Sequence, residues 1–199
     1  VARITRDMAH TCNATLSTAD ELRYLGRAAE AFQAAGRADE ARRALLEIGI
    51  AHAGLGNLDE AEDMFRSVLG DAHEAADTLL EARCLEAYAS LAVSKDTPAP
   101  LLAIEMLSRA ADDLRYPLSS ADKGTLAYAY SLIGQQGEAV KWLSEARLAA
   151  ETEDERAAAA FRDYQIASRT GRTAEALAAL EKVTEYGNRT QTQALQAAV

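Results

Sequence analysis

The sequence predicts an all-α solenoid of about five two-helix units, and three observations carry that expectation. First, a phrase of glycine, a few polar residues, an acidic-alanine step and a helical run recurs down the chain. It reads GNLDEAEDMFRSVL from Gly56, GQQGEAVKWLSEA from Gly134 and GRTAEALAALEKV from Gly171, with weaker copies from Leu16 and Lys95. The intervals between these markers are 40, 39, 39 and 37 residues. Second, alanine makes up more than a fifth of the 199 residues, aromatics only 6%, and β-branched runs are scarce, so summed propensity favours helix. Third, capping pairs and glycines mark helix ends independently of the period.

In chain order, helices are expected at about 2–14, 19–35, 38–55, 58–69, 72–94, 98–114, 119–133, 137–150, 153–170 and 173–186, with a partial eleventh from Thr190. Thr18 with Glu21, Asn57 with Glu60, Asp71 with Glu74, Ser119 with Asp122 and Thr152 with Glu155 each place a capping side chain three residues before an acid that can reach back. Thr97 followed by Pro98 reads as a cap with proline in the first turn. Gly36, Gly56, Gly70, Gly134, Gly171 and Gly187 stand where helices should stop. The whole chain therefore reads as one domain of five units, about 1–36, 37–70, 71–116, 117–151 and 152–187, followed by a partial helix over 188–199. In the second helix of each unit an apolar pair recurs at helical spacing: Leu25 and Ala28, Phe65 and Val68, Leu107 and Ala110, Leu143 and Ala146, Leu180 and Val183. These pairs are expected to form the seams between units, with Gly49 and Ala127 at close helix crossings.

The formal charge of −10 disfavours a surface for nucleic acid, which needs clustered Lys and Arg. Residues 1–50 are neutral, so the excess of acid lies in the remainder. No apolar stretch approaches the ~20 residues of a membrane span, and the chain is expected to be soluble. It begins at Val1 and ends inside an expected helix, which reads as a piece of a larger protein. Cys12 and Cys84 fall on helices two units apart, too far for a disulfide, and read as small buried hydrophobes. His10, His52 and His73 have no second ligand at metal spacing. Without a nucleophile elbow, phosphate-cradling glycine loop, HExxH or CxxC, the chain is read as non-enzymatic, with no cofactor.

The columns of a small residue on the first helix, glycine before the turn, alanine just after it (Ala61, Ala139, Ala176) and a bulky residue four later (Phe65, Leu143, Leu180) resemble the tetratricopeptide repeat. The longer period and the missing signature tryptophan depart from that family and are similar to the helical-repeat regions of bacterial regulators. The resemblance implies a right-handed α-α superhelix, whose leading helices line a concave groove for a protein or peptide partner. It also implies a cytoplasmic or periplasmic setting if the chain is part of a larger bacterial regulator.

One stripe of each leading helix, at i, i+4 and i+7, is expected to face such a groove. The expected peptide-binding residues are Arg3, Arg6, His10, Asn13, Arg43, Leu46, Ile50, Tyr88, Tyr128, Ser131, Phe161 and Gln165. Apolar and hydrogen-bonding positions alternate there, which suits an extended or helical peptide. Arg3, Arg6 and Arg43 could take an acidic peptide end, because a guanidinium fork binds a carboxylate with two hydrogen bonds. The alternative reading is a small-molecule sensor with a pocket from Tyr88, Tyr128 and Tyr130. Self-association through uncapped terminal helices is a third.

Overall fold

The computed structural model describes residues 18–197 and the side-chain surroundings of 20–190. The expected first helix and Cys12 lie outside the described residues. The described elements are all helical: α1 Thr18–Ala34, α2 Ala38–Gly54, α3 Leu58–Glu74, α4 Thr78–Ser94, α5 Pro100–Ser108, α6 Ser120–Leu132, α7 Gln136–Ala149, α8 Glu153–Arg169 and α9 Thr173–Ala197. The last turn of α5 widens into a π-helical segment, Arg109–Asp113. No helix among the described residues is long and apolar enough to cross a membrane.

The chain groups into two compact units, one through Leu91 and one from Ala92, so the boundary falls inside α4. In the first unit α1 packs on α2 and α2 on α3. Leu25, Ala29, Ala44 and Ile48 form one buried cluster there, and Ala28, Phe32 and Ala41 another. Between α3 and α4, the Cys84 thiol donates to the Phe65 carbonyl at 3.1 Å and the Phe65 and Tyr88 rings meet at 6.3 Å. Burial pushes the Cys84 thiol up to about 12, so it behaves as the expected small hydrophobe. In the second unit α6 packs on α5, α7 and α8, and α8 packs on α7 and α9. Ala127, Leu143 and Ile166 form a buried cluster with Tyr128 and Trp142 against it.

The turn glycines Gly36, Gly56, Gly134 and Gly171 have φ of 69, 79, 79 and 71°, the left-handed conformation in which a Cβ is strained. The capping boxes at Ser119–Asp122 and Thr152–Glu155 are both present. Backbone donors at Thr152 and Glu151 hold the Glu155 carboxyl below its ordinary value.

Several expected boundaries are corrected. Helix α3 runs through Gly70 to Glu74, so Asp71 lies inside it, and the stop is made by Ala76 at φ 52°. Asp77 then accepts from the Leu80 amide at 3.0 Å as the cap of α4. Asn57 makes no cap bond, and its amide meets the His52 ring at 3.2 Å. Helix α5 starts at Pro100 with Ala99 before it, not at Thr97–Pro98. Helix α9 continues through Gly187, and no eleventh helix starts at Thr190. An isolated glycine costs an exposed helix only about 1 kcal/mol, which the surrounding turns outweigh. Ala76→Gly is expected to raise stability by about 1 kcal/mol, because it removes the left-handed strain of a Cβ. Urea denaturation of both proteins measures the difference.

Four of the expected seams are buried. Leu25, Ala28, Phe65, Val68, Leu107, Ala110, Leu143 and Ala146 are all excluded from solvent. The fifth departs. In α9 the residues buried against α8 are Ala176 and Ala179, and Leu180 lies off that face at 41% exposure.

Candidate interaction surface

Helices α2, α4, α6 and α8 are the leading helices of their pairs, and their outer faces differ between the two units. On α2 the exposed stripe passes through Arg43, Glu47 and Ile50. The Arg43 guanidinium stands 3.7 Å from the Asp77 carboxylate, and Arg83 of α4 donates to Glu47 at 3.1 Å. Ile50 is 41% exposed. Leu46 is fully buried, one position out of phase with that stripe, and cannot face a partner. Tyr88 is also buried. Its hydroxyl accepts from Arg66 Nε and donates to Glu62 Oε1, both at 2.8 Å, which ties α4 to α3. Arg3, Arg6, His10 and Asn13 lie outside the described residues.

In the second unit, α6 and α8 pack together, and the expected residues Tyr128 and Gln165 meet at one the sequence reading missed, while Phe161 stands exposed one residue before it on α8. Arg162 reaches across from α8 to α6. Its guanidinium sits 5.4 Å from the centroid of the Tyr128 ring, donates to Gln165 Oε1 at 3.0 Å and lies 3.5 Å from Thr125 Oγ1. It has no ion pair with any described residue. Burial pulls its pKa down from the ordinary arginine value, and the Tyr128 hydroxyl opposes that shift, although an arginine stays charged at neutral pH. Gly124 leaves room for the stem of this side chain. A Cβ there would lie 3.2 Å from Arg162 Cγ.

Around this cation the surface is mixed. Phe161 is 43% exposed and its ring lies 5.9 Å from that of Tyr164. Ser131 is fully buried rather than presented: its carbonyl accepts from Arg169 at 2.5 Å, and its hydroxyl has no partner among the described residues. Arg162 meets Thr125 and Tyr128 of α6 and Arg169 meets Ser131, with Gln165 between them on α8 accepting from Arg162. That polar column was the available signal, and an apolar-pattern search passes over it.

The arrangement offers a partly desolvated cation without a counter-charge, and an exposed aromatic side chain one residue away on the same helix. An incoming carboxylate would find the cation already stripped of much of its water and oriented by Gln165 and Tyr128. Among the described residues no group of three or more His, Cys, Asp or Glu side chains is placed to hold a metal. Tyr130 is half-buried, and the clefts of the second unit described below are lined by residues other than the three tyrosines.

No protein-family model and no curated protein matches this chain. Solved structures do. The TPR-like repeats of a kinesin light chain from Podosopora anserina match over 95% of this chain and 96% of that one, at 19% identity and a TM-score of 0.64. MamA from Desulfovibrio magneticus RS-1 matches over 96% of each chain at 20% identity and a TM-score of 0.50, and a MamA RS-1 double mutant at 21% and 0.50. The chain has the tetratricopeptide-repeat-like fold.

Proposed function

We infer from this repeat fold and its exposed leading-helix faces that the chain is a non-catalytic protein-interaction module, with the α6–α8 face as its peptide site. The observation that supports the reading furthest is Arg162, a partly desolvated guanidinium without an acidic partner beside the exposed Phe161. The ligand is an extended or helical peptide carrying an Asp or Glu side chain, or a C-terminal carboxylate. Its acid meets Arg162, and an adjacent apolar side chain covers Phe161. Shape and apolar contact provide most of the affinity, and the charged pair fixes register. In the first unit, the exposed Ile50 is flanked by Arg43 and Glu47, already engaged with Asp77 and Arg83, so that face is a weaker candidate for an acidic ligand.

Peptide display against the immobilised chain tests this. Selected sequences are expected to share an acid next to an apolar residue and to lose binding at least about tenfold to a Phe161→Asp variant, since the new carboxylate repels the ligand acid. Selection of peptides with no acidic position, or equal binding to the variant, would refute the reading.

A further inference from the structure

The second unit carries a separate cleft on the other side of α8, between α7 and α9. Its volume is about 250 Å³, and Ala159 and Ala160 form its floor. Small side chains there leave depth that larger ones would fill. Three cations line the walls: Arg147 at the end of α7, Arg156 on the first turn of α8 and Lys182 on α9, with the Tyr186 ring beside them. One acid, Asp163, shares the lining and is paired with Arg147. Arg156 is held by Glu153 at 2.5 Å and by the Glu151 carbonyl at 2.9 Å, which orients it. Lys182 is exposed and forms no ion pair with a described residue.

In a chain of net charge −10, a pocket lined by three cations and one acid is a local reversal of sign. At physiological salt, charges beyond about 8 Å are largely screened, so the lining outweighs the acidic remainder. Asp163 pairs with Arg147 and Glu153 with Arg156, so the surplus positive charge rests on Lys182, with the two guanidiniums held in place as further donors. A second cleft of about 290 Å³ shares the Arg147–Asp163 pair with it, and Val140, Leu143 and Ile166 give that one apolar walls beside Arg172 and Glu175.

We propose that this cleft binds a small phosphate monoester, with its phosphoryl oxygens among Arg147, Arg156 and Lys182 and its organic body lying toward Leu143. A phosphoryl group carries close to two negative charges at neutral pH and three strong acceptor oxygens, which suits donors converging from three helices. The site is independent of Arg162 and the α6–α8 face.

The experiment is an amide NMR titration of the whole chain with inorganic phosphate and with phenyl phosphate, each against chloride at equal ionic strength. Both ligands are expected to give saturable shifts at Arg147, Ala159, Lys182 and Tyr186. Phenyl phosphate should also move Val140 and Leu143 and bind several-fold more tightly. Lys182→Glu should weaken both by at least about tenfold without changing the unfolding midpoint, because Lys182 supports no packing. Arg162→Gln should leave both unchanged. Shifts that do not saturate, or that persist at full strength in Lys182→Glu, would overturn the site, and equal affinity for the two ligands would overturn the monoester assignment.

Discussion

Phe65→Ala is expected to lower the stability of the first unit by about 3–5 kcal/mol. Phe65 is almost wholly excluded from solvent, its ring tilts against Tyr88, and its carbonyl accepts the Cys84 thiol. On the other side the ring lies against Gly49 of α2, so closely that a Cβ there would stand 2.6 Å from Phe65 Cε1. One side chain therefore fills the space where α2, α3 and α4 meet. Small domains are stable by only about 5–15 kcal/mol, so the loss is a large fraction of the total. Gly49→Ala alone should cost about 1–3 kcal/mol by overpacking, and clearly less in the Phe65→Ala background, where the new methyl enters the cavity. Urea denaturation gives the energies, and hydrogen exchange should place the loss in α2, α3 and α4. A cost under about 1 kcal/mol for Phe65→Ala would contradict the packing described.

Arg162→Gln is expected to act in opposite directions on stability and binding. The arginine carries a desolvated charge without an acidic partner, and glutamine removes that charge while retaining an amide donor. Unfolding free energy should stay level or rise. Affinity for a peptide with the required acid should fall at least about tenfold, since a hydrogen bond to a charged group contributes about 1.5–3 kcal/mol. A residue with only a structural role would not separate the two readouts, because its loss would lower stability. Calorimetric titration beside thermal unfolding distinguishes these results.

Much of the fold was legible because helix ends obey local chemistry. The capping boxes at Ser119 and Thr152 and the left-handed glycines at 36, 56, 134 and 171 form as the sequence implies. The misplaced ends arose where the local rule has exceptions. Gly70 resembles a stop, yet the turns at Gly36, Gly56 and Ala76 are each 20 residues apart, and the third uses an alanine held left-handed by its surroundings. Leu180 shows a different limit. Its column predicts a seam, and whether a seam residue is buried depends on which helix faces it.

The candidate surface was half legible. Spacing at i, i+4 and i+7 fixes the width of a stripe but not its phase around the helix. On α8 the stripe leaves Phe161 exposed and Gln165 half-buried against Arg162. On α2 Arg43 and Ile50 lie on the outer face, but Leu46 turns into the core and Glu47 takes its place on the stripe. Arg162 could not be read from its own neighbourhood, because its partners Thr125 and Tyr128 lie on α6, where Gly124 also leaves room for its stem, and no periodicity in α8 records them.

The central claim is that the α6–α8 face holds the partner. Site-specific photo-crosslinking tests it most directly, with a benzophenone side chain placed at Phe161 in one protein and at Leu148, 84% exposed on α7, in another. With a peptide selected by the unmodified chain, the account predicts a crosslink from position 161 and none from 148. Crosslinking from 148 alone, or equally from both, would contradict it.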